Sequence, residues 1–114
     1  MSRAVVNAHC AARPGAEVDD PWDGGLAAWK FDGKIFALVG ALDDGASVKC
    51  PDIETARLLI DMGHAERAPY LHASWVRIPG RAVPESDLRE RLTTSYRLVR
   101  AARPMTLQEA FPPA

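Results

Sequence analysis

Lys30, Lys49, Trp75 and Arg77 are the residues of this 114-residue chain whose types and expected register combine into a chemistry. The register starts at Phe31-Asp32-Gly33-Lys34, where Asp-Gly sits between two apolar runs. A type I′ turn needs φ > 0 at both central positions, which Asp and Gly tolerate best. A two-residue loop there pairs Phe31 with Lys34, Lys30 with Ile35, Trp29 with Phe36, Ala28 with Ala37 and Ala27 with Leu38. Trp29, Phe31, Phe36 and Leu38 then share one face, and Lys30, Ala28, Ile35, Ala37 and Val39 the other. The aromatic face is expected to pack on helices, because large rings dominate core energetics. A three-residue loop at Asp43-Asp44-Gly45, with Gly45 left-handed, puts Val48 and Cys50 with Leu38, and Ser47 and Lys49 with Lys30. Ser74-Trp75-Val76-Arg77-Ile78 alternates as a strand; with Val76 and Ile78 inward, Trp75 and Arg77 point to the Lys30 face. Tyr70 and His72 fall near its edge, and Lys34 sits by the turn. Cations beside an indole form a platform for phosphates and a stacked base. The plainer reading covers Trp75 with residues 64–73 and leaves the cations as solvated strand residues.

Other reactive residue types have structural explanations. Glu17, Asp19, Asp20 and Asp23 cluster in a Pro- and Gly-containing stretch, but D-D-P-W-D-G-G matches no EF-hand spacing, and the expectation is a solvated loop with Trp22 tucked beneath it. His9, His64 and His72 lack the spacing of a metal site. Ser95 and Tyr96 lie in a helical pattern without a nucleophile elbow. Glu85 and Asp87 read as first-turn helix acids. Cys10 and Cys50, the only two thiols, have no CxxC spacing and read as reduced and structural. The expectation is therefore a non-enzyme without metal or cofactor.

Composition sets the frame. The length suits one domain able to bury its own core. No run reaches the ~18 apolar residues of a membrane helix, and no basic-then-apolar leader opens the chain, so no membrane association and a cytoplasmic address are expected. Net charge is −1, but residues 1–66 carry six Lys/Arg against eleven Asp/Glu (−5), and residues 67–114 eight Arg against four acids (+4). All cations of the second half are Arg, whose planar fork suits phosphate and stacking, although an Arg bias also follows from genome composition.

The elements that must position these residues are a helix over 2–13 stopped by Pro14-Gly15; strands over 26–31, 34–42 and 46–50; a helix over 53–62 with Asp52 as cap and Gly63 at C′; a connecting segment, 64–73; a strand over 74–78; and a helix from about 85 to 102 introduced by Pro84. The second helix carries an apolar stripe of Ile53, Ala56, Leu59 and Ile60, and the last one of Leu88, Leu92, Tyr96, Val99 and Ala102. Its late arginines, Arg97, Arg100 and Arg103, complement the helix dipole. Residues 1–103 make one α+β domain, an antiparallel sheet of about four to five strands with helices mainly on one face; residues 104–114 form a poorly ordered Pro-rich tail.

Pro-Gly after the first helix, G-K-I-F-A-L at Gly33 to Leu38, S-V-K-C at Ser47 to Cys50, A-P-Y-L-H-A-S-W-V at Ala68 to Val76 and S-Y-R-L-V at Ser95 to Val99 together resemble the MmcQ/YjbR family. The resemblance implies a compact double-wing α+β domain, similar to DNA-binding domains of bacterial transcription factors, and through that similarity DNA binding. Two departures stand out. Many members carry a Lys or Arg between the Tyr of the connecting segment and the following Trp, where this chain has Leu71-His72-Ala73-Ser74; and Cys50-Pro51-Asp52-Ile53-Glu54 differs from the common form at the start of the second helix. The first weakens a phosphate contact from that segment; the second alters a cap.

Two functions follow. Lys30, Lys34, Lys49, His72, Trp75 and Arg77 bind nucleic acid, with the turns at Asp32-Gly33 and Asp43-Gly45 as wings whose acids oppose the phosphates. Alternatively the same face, with Ile35, Val39 and Trp75 as an apolar patch, binds a protein partner or a second copy of the chain.

Overall fold

The computed structural model describes residues 2–21 and 23–112; Trp22, expected beneath the acidic loop, lies outside them. The first helix, α1 (Arg3–Ala11), starts where Ser2 Oγ accepts the Val5 amide, and it buries Val6 and Cys10. Strands β1 (Ala16–Asp19), β2 (Ala27–Phe31), β3 (Lys34–Val39) and β4 (Ala46–Lys49) follow. Helix α2 (Ile53–Asp61) is capped by Asp52, which accepts the Thr55 amide at 2.7 Å, and Gly63 beyond it takes φ +76°. Strands β5 (Glu66–Arg67) and β6 (Trp75–Ile78) precede the long helix α3 (Glu85–Ala101) and a short one, α4 (Met105–Glu109).

The sheet is antiparallel throughout, in the order β1-β2-β3-β4-β6-β5. Its six strands exceed the four to five expected. The two additions, β1 and β5, come from segments read as loop and connection, because edge strands of four and two residues are too short for their pattern to stand out. Val6 and Cys10 of α1, Ala56 and Leu59 of α2, and Leu88, Leu92, Tyr96 and Val99 of α3 join the inner sheet residues in one core, so the helices cover one face. Of the expected stripes, Ile60 and Ala102 are exposed instead.

The Asp32-Gly33 turn has φ +49° and +73°, as the Asp-Gly pair requires. Beyond it the register departs from the sequence expectation. Phe31 pairs with Lys34 and Lys30 with Ile35, but a bulge then pairs Trp29 with Ala37, Ala28 with Leu38 and Ala27 with Val39. The extra residue lets Phe36 and Ala37 both bury toward the helices, so Ala37 and Val39 join the core and Leu38 moves to the open face beside Ser47. Period-two counting cannot carry across a bulge, since one inserted residue inverts every side chain after it.

The link between β3 and β4 is likewise not a three-residue turn, because β3 ends at Val39 and not at Leu42. Gly45 has no positive φ; a Cβ there would lie 1.9 Å from the carbonyl oxygen of Ile78, so close backbone approach and not handedness demands glycine. Val48 and Cys50 nevertheless face inward, and Ser47 and Lys49 outward, as expected.

Tyr96 organises the core. Its ring meets Phe31 and Phe36 edge-on, with centroids at 5.8 and 5.3 Å, and its hydroxyl donates to the Pro14 carbonyl oxygen at 2.5 Å. Regular structure continues past Ala102: Arg100 donates to the carbonyl oxygens of Gln108, Phe111 and Pro112, and Phe111 packs edge-on against Phe31. The expected Pro-rich tail thus contains α4, and Pro104, which cannot continue α3, starts it. Both thiols are buried, which raises their pKa, Cys10 to about 12.

His9 links α1 to α3 through a 2.9 Å hydrogen bond between its Nε2 and Thr93 Oγ1. Burial, reinforced by the Arg13 and Arg89 charges, lowers its pKa from the ordinary 6.5. The unfolded chain therefore takes up that proton before the folded one, and stability is lost as pH falls below about 6.5. Thermal melts of wild type and His9→Gln are expected to converge as pH falls from about 7.5 to 5.5. A constant gap over that range would remove His9 as the source.

Candidate functional site

Trp75 pairs with Lys49 across β4 and β6, and Arg77 pairs with Ser47 two residues on, so Lys49, Trp75 and Arg77 do share the open face. Lys30 shares it from β2, on the far side of β3. Ion pairing then divides the set. Lys30 Nζ lies 3.1 Å from Asp19, a partner supplied by β1. Arg77 is clamped by Asp43 at 2.6 Å and by Glu66 at 3.1 Å, and the hydrogen bond it donates to Asp43 raises its pKa. One guanidinium between two carboxylates offers no net positive charge to a phosphate. Among the described residues, the Lys49 and Lys34 ammonium groups make neither an ion pair nor a hydrogen bond.

The position of Lys49 rests on an interrupted rung of the sheet. Ala37 pairs with Val48 and Leu38 with Ser47, so Phe36 and Lys49 are next in register, yet the β3–β4 pairing stops before them. The buried Ser95 hydroxyl of α3 stands between the two strands there. It accepts the Lys49 amide at 2.8 Å and donates to the Phe36 carbonyl oxygen at 2.6 Å, replacing the missing ladder bond. This role had no signal in the sequence, where Ser95 reads only as a helix residue beside Tyr96 without a nucleophile elbow.

Two clefts open on either side of the Lys49–Trp75 pair. The first, about 420 Å³, lies between the β2–β3 turn and the end of α3; Lys34, Lys49, Arg103 and Trp75 line it with apolar Ile35 and Val99, and no carboxylate does. Arg103 also binds Asp32 at 2.7 Å, so the acid of this turn is neutralised by a cation of the same cleft. The second, about 550 Å³, is lined by Lys49, Trp75, His72 and Ser74 together with Asp52 and Glu54 at the start of α2. Hydrogen bonding to Thr55 lowers the Asp52 pKa and keeps its carboxyl ionised. His72 Nδ1 accepts the Ser74 amide at 3.1 Å, so in the neutral ring the proton sits on Nε2 as a donor.

The structure therefore brings together Lys34, Lys49, His72 and Trp75 of the six expected residues and leaves Lys30 and Arg77 in ion pairs outside both clefts. Tyr70, expected at the edge, is exposed and lines neither. The Asp43-Gly45 turn is no free tip: Asp43 holds Arg77, and Asp44 accepts the Gly80 amide at 3.2 Å. Arg103 was legible only as a helix-dipole residue, because its reach to the turn depends on where α3 ends. A wider cleft of about 700 Å³ between α3 and α4 holds none of the six residues, and its Arg100 is already committed to backbone carbonyl oxygens.

A six-stranded antiparallel sheet with helices on one face and two clefts beside its Lys49–Trp75 pair defines a small α+β domain with a ligand-sized surface rather than an enclosed cavity. The YjbR family matches residues 11–98, and the chain belongs to it. The fold is that of the crystal structure of Deinococcus radiodurans protein DR2400, a DUF419 domain, with a TM-score of 0.85 at 21% identity over 96% of this chain and 87% of that one. No curated protein sequence matches. Among the described residues no helix is long and apolar enough to cross a membrane.

Proposed function

We propose that this chain is a non-catalytic binding domain that takes nucleic acid at the Lys49–Trp75 pair. One observation carries the reading: a cleft beside an indole is lined by the unpaired ammonium groups of Lys34 and Lys49, by Arg103, which is paired with Asp32, and by no carboxylate. Ammonium groups without acid partners are the ones that attract phosphate and release counterions on binding. The half-buried Trp75 offers a π-face to a base, and stacking of this kind tolerates any sequence. The acid of the adjoining turn, which would oppose phosphate, is already paired with Arg103. The reading shifts the contact set toward Lys34, Lys49, Trp75 and His72.

The alternative, a protein-interaction or dimerisation module on the same face, has less to rest on. Val39 belongs to the core and Leu38 takes its place, so the apolar patch is Ile35, Leu38 and Trp75, each half-buried and none exposed.

Fluorescence anisotropy of labelled DNA over a salt series tests the proposal. Lys34→Gln/Lys49→Gln is expected to weaken binding and to flatten the log–log salt slope by roughly two units, about one per lost phosphate contact. Lys30→Gln, which removes a paired cation, is expected to leave the slope unchanged. Equal slopes for all three proteins would overturn the assignment of this site.

A further inference from the structure

The two clefts differ in charge and share two residues, and from this we infer that the ligand is an unpaired nucleic-acid strand, one nucleotide of which bridges them. The inference rests on the nucleic-acid reading above and names the form in which the strand is bound. Lys49 and Trp75 line both clefts and are direct partners across β4 and β6, so a group stacked on the indole has a cleft on each side. The cleft of the unpaired Lys34 and Lys49 accepts the phosphate. The other does not, because Asp52 and Glu54 line it and Asp52 stays ionised through its bond to the Thr55 amide.

What suits that second cleft is the edge of a base. Carboxylates accept from exocyclic amino groups, such as N4 of cytosine, and the His72 Nε2–H donates to ring nitrogens and carbonyl oxygens. In a duplex these pairing edges face the opposite strand and both faces of each base are stacked, so neither Trp75 nor the acids can reach them. An unpaired strand presents both. The acids also set a preference: cytosine brings an amino group to Glu54 where thymine brings a carbonyl oxygen, which the carboxylate repels.

Anisotropy titrations with oligodeoxycytidylate, oligodeoxythymidylate and a mixed-sequence duplex, all at one salt concentration, test this. Single strands are expected to bind about tenfold or more tightly than the duplex, and Trp75→Leu to lose about tenfold on single strands while Trp75→Phe, which keeps a stacking ring, recovers most of it. Cytidylate is expected to bind more tightly than thymidylate, and Glu54→Gln, whose amide both donates and accepts, to bring the two together without altering the effect of Lys34→Gln. Duplex bound as tightly as single strand, with the lysine dependence intact, would overturn this inference and leave the nucleic-acid reading standing. Equal binding of cytidylate and thymidylate by wild type would overturn the role of the acidic cleft. No binding of any of the three would overturn the nucleic-acid reading itself, and this inference with it.

Discussion

Replacing Ser95 with alanine is expected to lower the unfolding free energy by about 2–4 kcal/mol, a large effect for the loss of one oxygen atom. The hydroxyl links the Lys49 amide and the Phe36 carbonyl oxygen at the rung where the β3–β4 ladder stops, and Ser95 is fully buried. Its removal strands one backbone donor and one acceptor, each costing about 1–3 kcal/mol when left unmade inside a protein. The same bond positions the backbone of Lys49, so Ser95→Ala is also expected to weaken ligand binding more than Thr94→Ala does. Urea unfolding of Ser95→Ala beside Thr94→Ala, which removes a hydroxyl from the preceding, half-buried residue, measures the difference. A Ser95→Ala midpoint equal to that of Thr94→Ala would mean the strands close the rung themselves.

The second large effect is expected at Gly45. An alanine Cβ there meets the Ile78 carbonyl oxygen at 1.9 Å and the Gly80 amide nitrogen at 2.8 Å. Both are backbone atoms that cannot rotate away, so the β4 and β6 ends must separate. Overpacking of this kind costs about 3 kcal/mol or more. Gly33→Ala is the contrasting case: its φ is +73°, but nothing lies within 4 Å of the added Cβ, and the cost is that of a left-handed alanine, about 1–2 kcal/mol. Thermal melts of the two variants should therefore separate clearly, with Gly45→Ala the lower. The reverse order would mean that the β4–β6 junction is slack and that conformation outweighs contact.

These two positions show where sequence reasoning stops. Both glycines stand in turn-like stretches, and the sequence offers the same reason, positive φ, for each. Gly33 obeys it, because an Asp-Gly turn is local and its dihedrals depend on four consecutive residues. Gly45 does not, because its neighbour is Ile78, thirty-three positions away in the numbering, and only the folded sheet brings that carbonyl oxygen to it.

The same division runs through the site. The period-two alternation of Trp75-Val76-Arg77-Ile78 and of Ala46 to Lys49 was sufficient to place Trp75, Arg77 and Lys49 on one face, since local pattern and burial agree there. It was not sufficient to say which cations remain available. Lys30 is neutralised by a strand too short and too polar to be read as one, and Arg77 by acids from a distant turn and an edge strand. Arg103 lines the cleft because α3 ends beside the β2–β3 turn, but there it is paired with Asp32, which leaves Lys34 and Lys49. Helix caps, the first hairpin turn, the inward large residues of β2, β4 and β6 and the stripe of α3 up to Val99 follow from spacing and side-chain chemistry within a few residues. The bulge at Phe36, the serine-bridged rung, the pairing of charges and the two clefts were decided by tertiary structure alone, because each depends on groups that meet only when helices and strands remote in sequence pack on the same sheet.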